Sequence, residues 1–318
     1  MDCKPLQVLN SIKLERIDNG RKFLVPVTIN GTPEKFVLDT GGYTSQITHK
    51  TAAALGLHEE ETRDALFDLY GDSSRARVIV DDFGLGQQTG HKIVIHVSPF
   101  ANLDQEGNVA GLLSTNLFLL YDIDLDFGAE RLNYFSQDHC DGRIAYWPER
   151  PLAVVPFELD GWHISFPVTV DGHEVQAVMD TGAGVTVMPD TVAKEKFALS
   201  LGSADTPPAE TSQPDPLMKY YIHKFDNLSV AGLTVSNLNV LVMTDRVGAG
   251  APVFKSSFRG TTNDPYNRMK FKKEDLIIGM DVLQHLHVYI AYKEKRLYIS
   301  PAGTGESVLF KSPAAPAK

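Results

Sequence analysis

The chain contains one motif twice: Phe23-Leu-Val-Pro-Val-Thr-Ile-Asn-Gly-Thr-Pro-Glu-Lys-Phe-Val-Leu-Asp-Thr-Gly41 and Ile164-Ser-Phe-Pro-Val-Thr-Val-Asp-Gly-His-Glu-Val-Gln-Ala-Val-Met-Asp-Thr-Gly182. The copies align without a gap at an offset of 141 residues (180 − 39). In each copy a strand-like run leads to Asn-Gly or Asp-Gly, dipeptides typical of tight β-hairpin turns. An apolar run then returns to Asp-Thr-Gly. The repeat therefore predicts two hairpins that deliver Asp39 and Asp180 to Gly-containing turns.

A second pair of segments supports an internal duplication. Residues 112–118 match residues 277–283 at an offset of 165, so the second half carries 24 extra residues (165 − 141). Much of this surplus lies in the polar stretch 244–275, which is rich in Lys and Arg. Such a stretch fits an ordinary solvated face, or a lid or substrate-contact loop, because long loops in compact domains are often functional.

These repeats predict an all-β chain with two pseudo-symmetric, β-barrel-like lobes and a few short helices, for example around 50–57 and 192–197. The predicted domains are an N-terminal arm (1–20), lobe one with Asp39 (21–136), a linker (137–155), lobe two with Asp180 (156–302) and a disordered tail (303–318). Prolines punctuate the linker, and the tail has low complexity.

Composition excludes several classes of function. The 318-residue chain is long enough for two cores, and its formal net charge of −10 argues against a nucleic-acid partner. No apolar run approaches the roughly 18 residues that span a bilayer, so we expect no membrane span. The N-terminal residues lack the apolar region of a secretory signal, which leaves a cytoplasmic protein or an exported or periplasmic one whose signal has been removed.

The two cysteines leave two alternatives open. Cys3 and Cys140 fit one disulfide between the N-terminal arm and the linker, in an oxidising compartment. Two unrelated buried thiols fit equally well. Neither the cysteines nor His285 and His287, which lack partner ligands nearby in the sequence, suggest a metal site.

Two Asp-Thr-Gly turns in matching frames indicate chemistry where a single one would be an ordinary turn. Burying a charge after an apolar strand costs on the order of several kcal/mol, and nothing structural requires it. The segments 36–42 and 177–183 resemble the active-site loops of aspartic peptidases, and Ile277-Ile-Gly-Met-Asp281 resembles the segment beneath those loops in the retropepsin-like branch. The resemblance covers roughly residues 20–300.

This resemblance implies an aspartic endopeptidase that hydrolyses polypeptides with Asp39 and Asp180 and needs no metal or organic cofactor. It also implies inhibition by pepstatin-like compounds and a monomer, since one chain holds both halves. Thr40 and Thr181 are expected to interlock across the lobes, with Gly41 and Gly182 permitting tight turns. Two rivals are a catalytically silent peptide-binding protein and a dimer whose sites mix chains.

Two departures from the family pattern and one further resemblance bear on function. Gly42 and Ala183 replace the hydroxyl residue that follows the turn in many pepsin-type loops, so we expect a mildly acidic pH optimum rather than a strongly acidic one. Ser114 stands where lobe two has Gly279. Tyr70 and Gly71 fit either a flap that closes over substrate or a plain surface turn.

Overall fold

The architecture is that of a computed structural model, which describes residues 3–67, 73–100, 103, 109–144, 146–147, 152–210, 218–244, 258–259, 274–303 and 310–311. The described part is nearly all β, as the sequence predicts. Its strands are, in chain order, β1 (Val8–Lys13), β2 (Glu15–Ile17), β3 (Lys22–Ile29), β4 (Thr32–Asp39), β5 (Gln46–Ile47), β6 (Glu60–Phe67), β7 (Ser73–Leu85), β8 (Gln88–Val97), β9 (Gly111–Ser114), β10 (Asp122–Asp126), β11 (Arg131–Phe135), β12 (Ala153–Pro156), β13 (Glu158–Asp160), β14 (His163–Val170), β15 (His173–Met179), β16 (Val187–Pro189), β17 (Tyr220–Val230), β18 (Leu233–Met243), β19 (Phe258–Arg259), β20 (Leu276–Ile278), β21 (Leu286–Ala291), β22 (Arg296–Pro301) and β23 (Phe310–Lys311).

The helices in the described part are short. The α-helices are α1 (His49–Ala54), α2 (Asp190–Phe197) and α3 (Met280–Leu283), and Asp18–Gly20 and Thr115–Leu117 form 3-10 turns. Helix α1 begins after Thr48, whose hydroxyl accepts a hydrogen bond from the Thr51 amide, as N-cap residues do. Helices α1 and α2 lie where the sequence predicts them. None of the helices in the described ranges has the length and apolar character needed to cross a bilayer.

Each lobe is built on its own sheet. In lobe one the strand order is β19-β6-β7-β8-β5-β9-β4-β3-β2, and in lobe two it is β13-β14-β15-β20-β16-β18-β17, with β23 beside β18. Strand β19 belongs in sequence to lobe two but pairs with β6 of lobe one. The structure matches the predicted pair of pseudo-symmetric lobes.

A third sheet joins the lobes, and we call it the interlobe sheet. Its order is β1-β11-β10-β21-β22-β12, with three strands from residues 8–135 and three from residues 153–301. At its centre Ile123 pairs with Ile290 and Leu125 pairs with Val288. Both pairs satisfy the 165-residue offset of the repeat, because 123 + 165 = 288 and 125 + 165 = 290. The pseudo-twofold axis of the duplication therefore passes between β10 and β21.

The two predicted hairpins are present with the expected turns. Asn30 and Gly31 have φ values of 50° and 82°, and Asp171 and Gly172 have 43° and 84°. Positive φ at both central residues is the type I′ geometry whose twist matches the flanking strands. In β3 and β14 the outer half alternates between buried and more exposed residues, whereas the inner half is buried on both faces. The hairpins thus drive their return strands into the interior.

The return strands end beside parallel partners. Strand β4 pairs with β9, which places Ser114 next to Asp39. Strand β15 pairs with β20 in the same way, with Met179 opposite Ile278. The second repeated segment therefore runs alongside the first in both lobes, as an internal duplication requires.

Cys3 and Cys140 form a disulfide, with Cα atoms 4.8 Å apart and 137 residues between them in sequence. This confirms the first of the two alternatives left open by the sequence. Because the bond closes a long loop in the unfolded chain, it is worth about 5 kcal/mol in the chain-entropy model. The bridge ties the N-terminal residues to the segment that follows β11.

Some predictions fall outside the described residues. Tyr70 and Gly71 lie in the undescribed tip between β6 and β7. Of the basic stretch 244–275, the structure describes only 244, β19 and residues 274–275, and of the tail it describes 303 and β23, which pairs with Thr234 and Val235. The flap, the lid and the disordered tail therefore stay predictions.

Candidate active site

Asp39 and Asp180 lie at equivalent places in the two lobes. Asp39 is the last residue of β4, and Asp180 directly follows β15. The three residues before each of them are apolar and buried, so both carboxyl groups are carried to the junction of the lobes. There the two carboxyl groups come together, because a single Cβ position on Gly182 would lie 2.5 Å from Oδ1 of Asp39 and 3.2 Å from Oδ1 of Asp180. Asp39 is only 8% exposed, and Asp180 is partly buried. The structure thus brings together the two aspartates that the sequence singled out.

Thr40 and Thr181 interlock across the junction. The Thr40 amide donates to the Thr181 hydroxyl (3.0 Å), and the Thr181 amide donates to the Thr40 hydroxyl (3.1 Å). Each hydroxyl in turn donates to a carbonyl of the opposite lobe, Thr40 to Met179 and Thr181 to Leu38, both at 2.8 Å. All four bonds are buried. They hold the ends of the two return strands at a fixed separation.

Gly41 and Gly182 are required by close approach rather than by an unusual backbone angle. Neither has a positive φ. A Cβ atom on Gly41 would lie 2.1 Å from Cγ of Asp180, and one on Gly182 would lie 2.5 Å from Oδ1 of Asp39. These distances are far below van der Waals contact, so each turn glycine makes room for the aspartate of the other lobe.

The environment of the pair favours retention of a proton. Burial, then the nearby charge of Asp180, raise the pKa of Asp39 well above its ordinary value. Burial also raises the pKa of Asp180, although hydrogen bonds from the amides of Gly182 (2.8 Å) and Ala183 (3.1 Å) to its Oδ1 act in the opposite direction. Two carboxyl groups this close cannot both ionise cheaply. The two titration steps belong to the pair and not to either residue alone.

In lobe one, Ser114 fills the space beside Gly42, the glycine that follows the turn. A Cβ atom on Gly42 would lie 2.3 Å from Oγ of Ser114 and 2.5 Å from Oδ2 of Asp39. Ser114 is fully buried and donates from Oγ to the carbonyl of Thr44 (3.2 Å). Ser114 therefore occupies space that a side chain at position 42 would need.

Lobe two has the opposite arrangement at the equivalent positions. Ala183 carries a side chain after the turn, and the crossing segment has Gly279. A Cβ atom on Gly279 would lie 2.4 Å from the carbonyl oxygen of Val185 and 2.9 Å from that of Ala183. Gly42 and Ser114 thus form a complementary pair in lobe one, whereas Gly279 in lobe two makes room for backbone carbonyls.

His163 is a site residue that the sequence analysis missed. It begins β14, its side chain is 13% exposed, and its Nδ1 lies 2.7 Å from Oε1 of Glu274. Its Nε2 is buried and has no hydrogen-bond partner among the described residues. Burial lowers the pKa of His163, but the hydrogen bond with Glu274 and the charges of Glu274, Asp180 and Asp39 outweigh that effect, so the pKa is raised.

A signal for His163 is present in the repeat. The residue before the aligned segment is basic in both copies, Lys22 and His163, at the same offset of 141. Partners on an antiparallel hairpin have residue numbers with a constant sum, here that of Ser165 and Val178. Because 163 + 180 equals 165 + 178, the same register, if continued, would place His163 opposite Asp180. Glu274 carried no comparable signal, because it lies 111 residues away at the end of the basic stretch.

The end of β6 that leads into the tip of the β6–β7 hairpin packs at the lobe junction. Leu66 of β6 forms a small buried cluster with Tyr43 and Trp162. The carbonyl of Trp162 accepts a hydrogen bond from the hydroxyl of Thr115, at 2.8 Å, which ties lobe two to lobe one beside the aspartates. This hairpin leads toward Tyr70 and Gly71, which are not among the described residues.

The two histidines that follow Gly279, His285 and His287, pack at least partly inside the fold. His287 is buried in the interlobe sheet, 2.5 Å from Oδ1 of Asp124, and its ring stacks on Trp147 with centroids 4.1 Å apart. His285 is half-buried. In the ranges that the structure describes, no cluster of three or more His, Cys, Asp or Glu residues is arranged to hold a metal ion.

Two β lobes that each contribute an Asp-Thr-Gly turn to one pair of adjacent carboxyl groups define the aspartic-protease class of protein. The family model described as "Aspartyl protease" matches residues 25–117 and 166–282, about two thirds of the chain and both copies of the repeat. The chain belongs to the aspartyl protease family, which confirms the family resemblance.

Solved structures resemble the chain at low sequence identity. The structure titled edgp is 9% identical with a TM-score of 0.50, covering 95% of this chain and 96% of that chain, which supports the two-lobed fold alone. The retropepsin-like aspartic protease from Rickettsia conorii is 22% identical with a TM-score of 0.32, covering 43% of this chain and 97% of its own. The aspartic proteinase from Irpex lacteus is 14% identical with a TM-score of 0.49, covering 94% and 99%. Among curated proteins none gives a significant match.

Proposed function

We propose that this chain is an aspartic endopeptidase that hydrolyses peptide bonds with a water molecule activated between Asp39 and Asp180. One observation carries the proposal: two adjacent carboxyl groups, one from each lobe, meet at the ends of repeated hairpins, with Asp39 buried and Asp180 partly buried. Membership of the aspartyl protease family supports a polypeptide as substrate.

The reaction needs a nucleophilic water and an electrophilic carbonyl at the same time. The ionised carboxylate takes a proton from the water as its oxygen attacks the peptide carbonyl carbon, and the protonated carboxyl donates to the carbonyl oxygen. The tetrahedral gem-diol then collapses: the protonated carboxyl donates its proton to the amide nitrogen, the other carboxylate takes a proton from a gem-diol hydroxyl, and the C–N bond breaks to give the acid and the amine. The carboxyl pair ends with one proton, as it began.

The surrounding turns support this reaction by fixing geometry. The interlocked Thr40 and Thr181 hold the carboxyl groups in register, and Gly41 and Gly182 allow them to approach. A displacement of about 1 Å in such a site can cost a hundredfold in rate. We therefore assign these four residues a positioning role.

We also propose a mildly acidic pH optimum. Burial raises the pKa of both aspartates, and neither Gly42 nor Ala183 offers a hydroxyl to stabilise an ionised carboxylate. Both effects move the acid limb of the pH–rate profile upward. A profile of kcat/KM that peaks near pH 2 would contradict this part of the proposal.

The remaining assignments follow from the arrangement of the chain. One chain supplies both aspartates, so a monomer suffices, and sedimentation together with activity at high dilution distinguishes it from a dimer with mixed sites. The Cys3–Cys140 bond supports an oxidising compartment. The domain limits at residues 20, 136, 155 and 302 stay proposals, to be tested by limited proteolysis.

The experiment is cleavage of a peptide library by the purified chain across pH 3–8, with and without pepstatin. We expect internal cleavage with a maximum in the mildly acidic range and suppression by pepstatin. Binding of library peptides without cleavage at any pH would instead favour the silent peptide-binding protein. Cleavage that a metal chelator abolishes and pepstatin leaves intact would overturn the proposed chemistry.

A further inference from the structure

His163 and Glu274 form a partly buried pair beside the two aspartates. Nδ1 of His163 lies 2.7 Å from Oε1 of Glu274, and the two side chains are 13% and 17% exposed. The Nε2 atom of His163 is buried without a hydrogen-bond partner among the described residues. A buried polar atom in that state is costly, on the order of 1–3 kcal/mol, so it calls for an explanation other than packing.

Strand register places His163 at the site. The recorded pairs of β14 with β15 end at Ser165 opposite Val178. Continued by two residues, the same register would bring His163 opposite Asp180. Residues directly opposite on antiparallel strands project to the same face of the sheet. His163 thus lies within reach of Asp180, held there by a hairpin whose turn is only Gly161 and Trp162.

Every charged side chain that the strand register and the contacts place around His163 is acidic. Glu274 faces it from the segment before β20, Asp180 and Asp39 face it from the two active-site turns, and Asp160 pairs with it across the β13–β14 turn. These charges outweigh the effect of burial and raise the pKa of the imidazole. In return, the charge of His163 lowers the pKa of both aspartates.

We propose that His163 is a positioning residue whose positive charge, maintained by Glu274, stabilises the singly ionised carboxyl pair at the site. This inference rests on the proposed peptidase function and extends it to the control of its pH range. His163 supplies an electrostatic stabilisation at a site where Gly42 and Ala183 offer no hydroxyl. Glu274 acts on the carboxyl pair through His163, whose positive charge it maintains. Their contact joins the end of the basic stretch to the active site.

The sign of the effect follows from the charge. A cation beside the pair favours each ionisation step of the pair, so it lowers both limbs of the pH–rate profile. Removing the cation in His163→Gln moves both limbs to higher pH, and His163→Lys retains a cation there. Lysine is also the residue at the equivalent position of lobe one, Lys22.

The first test is the pH dependence of kcat/KM for the wild type, His163→Lys and His163→Gln. We expect the acid limb of His163→Gln to lie about half a pH unit or more above that of the wild type, a loss of roughly threefold or more at a given pH on that limb. His163→Lys should stay closer to the wild type than His163→Gln. A uniform drop in kcat with unmoved limbs in His163→Gln would indicate a structural role and overturn the inference.

The second test leaves His163 in place and does not depend on proteolysis. The ring of His163 is titrated by NMR in the wild type, in Glu274→Gln and in the double variant Asp39→Asn/Asp180→Asn, with the resonance assigned by its absence from His163→Gln. Both variants should titrate at lower pH than the wild type, because each loses carboxylate charge beside the ring. An unchanged midpoint in both variants would overturn the inference even if peptides are cleaved. Shifted midpoints in a chain that cleaves no peptide would sustain the electrostatic coupling and refute the peptidase instead.

Discussion

Removing one hydroxyl of the threonine interlock should destabilise the lobe junction more than any other change of a few atoms there. Thr40→Val keeps the shape of the side chain and deletes only the hydroxyl group's hydrogen bonds. In the wild type that hydroxyl donates to the carbonyl of Met179 and accepts from the amide of Thr181. The variant leaves both backbone groups buried without these partners.

The structure sets the size of the effect. Each buried backbone group that loses its partner costs about 1–3 kcal/mol, so Thr40→Val, which affects two such groups, should cost roughly 2–6 kcal/mol of unfolding free energy. The matched control is Thr40→Ser, which retains the hydroxyl and loses one methyl group, at a cost of about 1 kcal/mol. The symmetric variant Thr181→Val removes the bonds to Leu38 and to the Thr40 amide, so it should cost a similar amount.

The assay is urea denaturation of the single variants and of Thr40→Val/Thr181→Val, followed by circular dichroism. Because both hydroxyls bind the same two turns, loss of the first loosens the second, and the double variant should cost less than the sum of the singles. Peptide cleavage should also fall. It is measured well below the unfolding transition, where every variant is folded and differences in stability do not affect the rate. A Thr40→Val variant as stable as Thr40→Ser would refute the assignment of the interlock as a structural clamp.

Three further predictions follow from close contacts and from pKa directions. Gly182→Ala should lower kcat/KM for peptide cleavage by about a hundredfold or more, since its Cβ would lie 2.5 Å from Oδ1 of Asp39. The control Gly184→Ala, whose Cβ would have its nearest contact at 3.5 Å, should leave kcat/KM nearly unchanged. Gly42→Ala should cost about 1–3 kcal/mol because its Cβ would lie 2.3 Å from Oγ of Ser114. Adding Ser114→Gly should recover part of that loss in urea denaturation, and a strictly additive double variant would contradict the complementary pair. Asp39→Asn should raise the melting temperature at pH 7 but not at pH 3. A carboxyl group whose pKa is raised in the folded state contributes stability below its unfolded pKa, and this stability is lost as the pH rises through the folded pKa. An equal change in melting temperature at both pH values would contradict this.

The fold was predictable from sequence because its signals are local. Asn30-Gly31 and Asp171-Gly172 specify their turns without reference to the rest of the chain, and the apolar runs that follow specify buried strands. The duplication adds the pairing of the lobes, since equivalent strands must meet across an axis. The pairing of Asp39 with Asp180 follows from that symmetry together with the family resemblance.

The parts that sequence could not predict depend on contacts between distant residues. Glu274 meets His163 across 111 positions, at the end of a stretch with no periodic pattern. The expected reason for Gly41 was also incomplete, because its surroundings come from Asp180 in the other lobe. Cys3 and Cys140 illustrate the same limit, since spacing alone does not decide whether two thiols meet.

The most direct test of the central claim, that one carboxyl group from each lobe performs peptide hydrolysis together, is cleavage by Asp39→Asn and Asp180→Asn. The matched control is Asp171→Asn, the same chemical change at a hairpin turn where lobe one already carries Asn30. We predict that each active-site variant loses cleavage while keeping the circular dichroism spectrum of the wild type, and that the control cleaves at nearly the wild-type rate. Cleavage that persists in a folded Asp39→Asn or Asp180→Asn variant would contradict the account.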